Sequence, residues 1–379
     1  MAVPGDQWSH TVISSREAAG DLFDEWASLF TRSVEPCPFV APSWLLAWWD
    51  SFAVPEWEMR LLAVRVNERL VAIAPFYLVE DRILNFRVQS LRFWEDPHSN
   101  RVFPLLDQAE AAPATERLVE CLLSDPALQC DLARLASLPL DHPATDILRE
   151  TLGRKGVAHG IDSGFESPYR RLPSTWALFE ATLSRSFRRT LKRRVNAAHR
   201  EGFTLEISGD RSSVDEVLEL SGKTWQHANG TGIGSLPEVR AFYTRVMETA
   251  ERSGQLQVAT LRVDQGPLIA FELNLEDDQT VYNLKVGYDP AYRSCSPGLV
   301  LREFVLRNTI ASGKVEFDFL GEAEDYKLHW TDAVRPHGHI TLWRSGAVGW
   351  LYVWAKFRFK PWLRERTPWV FWIKRRLQR

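Results

Sequence analysis

The stretch from Tyr282 to Trp330 limits most strongly what this chain can fold into. Val281 to Val286 reads as a strand. Tyr288-Asp289-Pro290 ends it, because the residue before a proline is pushed out of helical geometry. A helix is predicted to begin at Ser296, a favoured N-cap, with Pro297 where the missing amide does no harm, and to stop near Gly313. Val315 to Leu320 alternates apolar and acidic residues and reads as a second strand with one polar face. The order is strand, helix, strand. A helix N-terminus behind Arg293 suits an anion, and Gly298 allows close backbone approach. The same Ser296-Pro297-Gly298 turn also serves simply to start a helix, and Pro297 removes one amide from any cradle.

Together, Tyr288-Asp289-Pro290, Tyr292, Pro297-Gly298, Leu301 and the run FDFLGEAEDYK before Trp330 resemble the BioF2-like (CelD type) branch of the GNAT acetyltransferase superfamily, which is related to the Fem aminoacyltransferases. The match is clear over residues 175 to 330 and looser before them. The common GNAT phosphate signature, Arg or Gln followed by two residues and Gly-x-Gly, is absent in that form. The resemblance implies tandem GNAT-like domains of α/β (α+β) class, each a mixed, mostly antiparallel sheet flanked by helices. It also implies a donor, acyl-CoA and most simply acetyl-CoA, with its pyrophosphate at Arg293, Ser296 and Gly298, and an amine acceptor beside the strand of Asp318.

Direct acyl transfer needs a held donor, a stabilised oxyanion and a route for the amine proton. Asp318 or Glu322 could accept that proton, and Tyr326 could protonate the leaving group. Lys327 could bind phosphate or carboxylate, or steady the oxyanion. Tyr288 and Glu322 are further candidate substrate contacts. Asp318 could equally be a structural partner of Lys314 or Lys327.

A length of 379 residues exceeds what one core normally serves. The expected division is residues 1–170, residues 171–344 and a tail at 345–379. A duplicated hairpin supports the tandem reading. LLAVRVNERLVAIAPF (61–76) parallels VATLRVDQGPLIAFEL (258–273), with Arg65-Val66-Asn67 matching Arg262-Val263-Asp264. The four cysteines show neither CxxC pairing nor metal spacing, so no metal is expected and the thiols read as reduced. The N-terminus lacks a basic region followed by an apolar core, so a cytoplasmic protein is expected.

Along the first half, the Trp44, Trp48 and Trp49 cluster reads as core before groove. Asp96 and His98 form a weak candidate pair in a polar loop, and residues 159–171, with two glycines and Pro168, read as an interdomain linker. In the second half, the helix spanning 182–202 carries seven Lys and Arg before its first acid, Glu201, while Phe187, Leu191 and Val195 recur on one face. Its basic face suits a phosphate-bearing ligand, tRNA included, or plain solvent. The glycine-rich loop 229–235 follows a helix and so is not a dinucleotide motif. The resemblance makes it a mobile loop by the acceptor, with Trp225 and His227 as candidate substrate contacts.

The tail mixes tryptophans with cations, and no run approaches the ~20 apolar residues that cross a bilayer. Its pattern suits an anionic membrane surface, giving a peripheral location on the inner face, or an arm packed on its own domain. The first expectation is therefore an acyl-CoA-dependent N-acyltransferase acting on a small-molecule or glycan amine. A Fem-like aminoacyl-tRNA-dependent transferase and a non-catalytic membrane-associated scaffold are the alternatives.

Overall fold

The computed structural model describes residues 6–83, 85–223, 232–233, 236–264, 266–359 and 362. Two compact units result: one formed by Met1–Leu46, Ala53–Gly164 and Pro336–Arg379, the other by Ala47–Phe52 and Phe165–Arg335.

The first unit opens with β1 (Trp8–Ile13), α1 (Arg16–Asp21), α2 (Phe23–Thr31) and the start of α3 (Pro42–Phe52). A hairpin follows, β2 (Glu58–Val66) and β3 (Arg69–Ile83), then β4 (Phe86–Phe93), β5 (Leu105–Leu106), α4 (Ala111–Ser124), β6 (Leu132–Pro139) and α5 (Pro143–Arg154). Neighbouring strands run β1-β2-β3-β4-β6, antiparallel except for the parallel β4–β6 pair. Trp26 and Trp94 of this unit are among the largest fully buried side chains and Trp44 is buried as well, while the equally buried Trp48 lies on the part of α3 that belongs to the second unit. Asp96 closes a turn, its Oδ1 accepting from the His98 amide at 3.0 Å and from Ser99 Oγ at 3.0 Å.

Residues 159–171 form not a linker but a strand, β7 (His159–Arg171). Gly160 is tolerated because the ring of Phe357 occupies the place a Cβ would take, and the backbone of His337 comes within 3.2 Å of that place at Gly164.

The second unit continues with α6 (Trp176–Thr182), α7 (Arg185–Arg200), β8 (Phe203–Ser208), α8 (Val214–Ser221), α9 (Pro237–Arg252), β9 (Leu256–Val263), β10 (Leu268–Glu276), β11 (Thr280–Tyr288), α10 (Pro297–Ala311), β12 (Glu316–Asp318) and α11 (Asp325–Leu328). Its strand order is β7-β12-β11-β10-β9-β8, with only β11–β12 parallel. Leu191, Val300, Leu301, Val305 and Phe317 belong to one buried cluster that fastens α7 and α10 to the sheet. At about 25 cal/mol per Å² of apolar surface, each such side chain contributes roughly 1.5–3 kcal/mol.

The duplicated hairpins share their turn conformation. Asn67 (φ 49°) and Asp264 (φ 44°) are both left-handed, which short polar residues accept most readily.

The chain ends with β13 (Val334–Trp343), which pairs with β6, α12 (Ala347–Trp354) and a π-helical turn over Ala355–Phe359. The described part of the tail thus belongs to the first unit. Trp343 Nε1 donates to Ser345 O at 2.9 Å, and Lys356 pairs with Asp162.

Candidate active site

The second unit holds a cavity of about 710 Å³. Three features of the chain open it. First, β11 and β12 pair only from Thr280↔Glu316 to Tyr282↔Asp318. Beyond that point β11 runs on to Tyr288, while the chain leaves β12 through the left-handed residues Leu320 (φ 52°) and Gly321 (φ 59°). Second, the register of β11 against β10 slips between Leu273↔Lys285 and Asn274↔Asn283, so Leu284 is an extra residue that bends the strand. Third, the N-terminus of α10 and that of α7 both reach the opening, the first through Ser296–Gly298 and the second through Ser184, Ser186, Phe187 and Thr190.

The wall contains a buried pair that sequence reasoning missed. Arg302, on α10, donates from Nε to Glu272 Oε1 at 2.7 Å and from Nη2 to Asn283 Oδ1 at 2.6 Å. Asn283 donates to Asn274 Oδ1 at 2.7 Å, and Asn274 to Gln257 Oε1 at 2.8 Å, so a polar ladder crosses β11, β10 and β9. The guanidinium also lies 5.0 Å from the Phe317 ring centre and 5.1 Å from that of Phe319. Burial pushes the Glu272 carboxyl upward, and Arg302 opposes that shift. Nη1 of Arg302 is buried without a hydrogen-bond partner. The signal in the sequence was Glu272 and Asn274, two residues apart and so on one face of an otherwise apolar strand.

The candidates from the central stretch divide in two. Tyr288, Arg293, Ser296, Gly298 and Tyr326 all line the cavity, together with His329 and Trp330. Ser296 is left-handed (φ 56°, ψ 52°) and its side chain makes no cap bond. Its amide is engaged with Arg293 O at 3.1 Å, and Pro297 has none, so of these three turn residues only Gly298 offers an N–H to a ligand. A Cβ at Gly298 would come no nearer than 3.8 Å to Tyr288. Burial first, and Glu324 second, raise the Tyr326 phenol far above its usual value, although the ring is still 39% exposed at the cavity mouth. It therefore stays protonated.

Asp318, Glu322 and Lys327 do not line the cavity. Asp318 is fully buried, accepting from Arg335 Nη1 at 2.7 Å and from the Leu320 amide at 3.0 Å. Arg335 is its hydrogen-bonded ion-pair partner, its charge also acts on Lys327, and the bond from the Leu320 amide fixes the turn that ends β12. Lys327 donates to Leu320 O at 2.8 Å and Glu322 O at 3.0 Å and pairs with Glu324 at 3.0 Å, so it pins the 320–324 loop. Burial lowers its pKa. Trp225 and His227 lie outside the described residues.

None of the seven Lys and Arg of α7 forms an ion pair with a carboxylate among the described residues. Arg194 instead donates from Nη1 to Ser294 O at 2.6 Å, which ties α7 to the turn before α10. Phe187 stands edge-on to Trp330 at 4.9 Å and closes one side of the cavity. Among the described residues, no cluster of three or more His, Cys, Asp or Glu could hold a metal ion.

The splayed strands, the helix at their opening and the cavity between them coincide with a sequence match: residues 185–328 fit the family model of the acetyltransferase (GNAT) domain. This segment is a GNAT-type acyltransferase domain. No curated protein matches the chain. Among solved structures, the C-terminal domain of a chain assigned as a lysylphosphatidylglycerol synthetase from Agrobacterium fabrum superposes with a TM-score of 0.56 at 13% identity, covering 89% of this chain and 96% of that one. FemX does so at 0.55 and 11% identity, covering 88% and 96%. A protein of unknown function from Bacteroides thetaiotaomicron gives 0.53 at 10% identity, covering 88% and 100%. At these identities the likeness is one of fold, and it spans both units. The matched segment and the cavity both lie in the second unit.

Proposed function

We propose that this acyltransferase takes an aminoacyl group from a tRNA carrier and passes it to an amine, the Fem-type reaction. The observation that carries this reading is α7. The helix whose N-terminal turn lines the cavity carries seven cations that pair with no carboxylate among the described residues, while the turn at Ser296–Gly298 leaves a single backbone N–H unengaged. A polyanion tracking α7 supplies the binding energy that the turn does not. The lysylated lipid in the Agrobacterium neighbour's name is likewise an aminoacyl product, although it forms on a hydroxyl and not on an amine.

In this reading the acceptor nitrogen attacks the ester carbonyl, the C–N bond forms and the C–O bond to the tRNA ribose breaks. Arg302 Nη1 donates to the developing oxyanion, Glu272 receives the amine proton and Tyr326 protonates the leaving oxygen. Asp318 and Lys327 support the site from behind by fixing the 318–324 turn.

Transfer is measured with radiolabelled aminoacyl-tRNA and with acetyl-CoA and longer acyl-CoAs. Product from charged tRNA, with affinity falling steeply with salt and flattening when Arg189 and Arg193 are changed to Ala, supports the reading. A second reading is the acyl-CoA-dependent, BioF2-like one. It is favoured by Arg293 and the α10 N-terminus at the same cavity, with a glycan precursor or small metabolite as acceptor. Product from acyl-CoA alone would establish it and refute the first.

A further inference from the structure

A second cavity, of about 650 Å³, lies in the first unit between β3, β4, β6, β13 and α12. Arg82, Arg92, Arg134 and Lys356 line it against one carboxylate, Asp81. Arg92 pairs with Asp81 and Lys356 with Asp162, whereas Arg82 and Arg134 form no ion pair among the described residues. The cavity is therefore cationic, and α12 is one of its walls.

The outward side of the same wall is aromatic. Trp350 is 47% exposed, Trp354 and Phe359 41% and Trp362 46%. The rings form a ladder, with centroid separations of 6.0 Å for Trp350–Trp354, 5.3 Å for Trp354–Phe359 and 5.8 Å for Phe359–Trp362. The π-helical turn makes this possible, because its i→i+5 repeat keeps residue 359 on the face of residue 354. Water gives no reason to hold four large rings in a row, and the opposite side of the segment is tied down by buried Gly349 and Val353 and by Phe357 over Gly160. The sequence from Ser345 to Arg379 carries nine Lys and Arg against one Glu, a net charge of +8.

We propose that this face docks the first unit on an anionic phospholipid bilayer. The aromatic ladder sits at headgroup level, and the cavity beside it takes the phosphate of one anionic headgroup between Arg82 and Arg134. Indole rings that are apolar with one polar edge, interleaved with cations, match the chemistry of that interface. The proposal concerns the first unit alone and stands whichever donor the GNAT domain uses.

The test uses the full chain and vesicles of phosphatidylcholine alone or with a quarter phosphatidylglycerol. The expected result is co-sedimentation with the anionic vesicles only, a blue shift of tryptophan fluorescence and release by salt. Trp350→Ser with Trp354→Ser should abolish the binding, and Arg82→Glu with Arg134→Glu should weaken it roughly tenfold or more. All four positions are at the surface, so circular dichroism and thermal midpoint should stay at wild-type values. Equal binding to neutral vesicles, or binding untouched by both pairs, overturns the proposal. So does a wild-type dimer that the tryptophan pair dissolves without any vesicle binding. Loss of RNA binding in place of vesicle binding in the arginine pair overturns it as well.

Discussion

Arg302 holds Glu272 at 2.7 Å in the wall of the GNAT cavity while its own Nη1 is buried without a partner. A pair so deeply buried is sensitive to the loss of either member. Arg302→Ala leaves the carboxylate uncompensated and should cost about 3–5 kcal/mol, which for a unit of this size lowers the melting point by roughly 6–20 °C. Glu272→Gln keeps an oxygen for Arg302 and should melt nearer to wild type, yet lose about 10²–10⁴-fold in transfer rate if Glu272 receives the amine proton. A Glu272→Gln enzyme with full turnover would show that the pair is structural only.

Tyr326 should behave as a proton donor over an unusually wide pH range. Its phenol lies well above the ordinary value of about 10, so it remains protonated where a free tyrosine begins to ionise. The transfer rate should show no alkaline decline from this group up to about pH 10. Tyr326→Phe should cost about 10²–10⁴-fold without altering the melting point by more than a few degrees. An alkaline limb near neutrality that disappears in Tyr326→Phe would contradict this assignment.

Lys327 and Gly298 should separate stability from binding. Lys327→Met removes the donor to two loop carbonyls and should destabilise the second unit by about 1–3 kcal/mol. Gly298→Ala meets no protein atom closer than 3.8 Å, so its thermal midpoint should hold while donor affinity drops through contact with the ligand itself. Paired melting and donor-titration curves decide both. A Gly298→Ala variant with unchanged donor affinity would remove the turn from the binding surface.

Cys295 should be the thiol that reacts. Cys37, Cys121 and Cys130 are buried, and burial pushes the latter two thiols up to about 11. Cys295 is half-buried on the turn that precedes Ser296. Mass spectrometry after brief alkylation should find the label there, and bound donor should slow it. Labelling of Cys121 at the same rate would mean that the first unit opens readily.

Much of the fold could be read from the chain because local and tertiary signals agree there. The hairpin turns at Asn67 and Asp264 and the strand–helix–strand order around Ser296 are written in alternation, capping residues and turn chemistry. β7 was hidden, because Gly160, Gly164 and Pro168 look like loop residues until Phe357 and the His337 carbonyl are seen against the two glycines. The Pro168 carbonyl also accepts from the Phe319 amide at 3.0 Å, so that proline still contributes to the sheet edge.

The site divides in the same way. Tyr288, Arg293, Ser296 and Gly298 lie together because a short turn brings them together, and Tyr326 joins them after one helix and one strand. Arg302 gives no local sign of burial, since an arginine in a helix normally faces water. Alternation places Asp318 on the polar face of its strand, but its ion pair with Arg335 depends on the later return of the chain and has no local signal.

The first unit is assembled from the two ends of the chain, and β6 gains its β13 neighbour only through residues 337–343. During synthesis, therefore, β6 emerges with a bare strand edge that stays open until residues 337–343 have been made. The GNAT domain, contiguous from Phe165 to Arg335 apart from one short helical piece, can be complete before that edge closes. A ribosome that stalls in the second half leaves behind an unprotected β6 edge, the kind of surface that chaperones cover and that aggregation starts from.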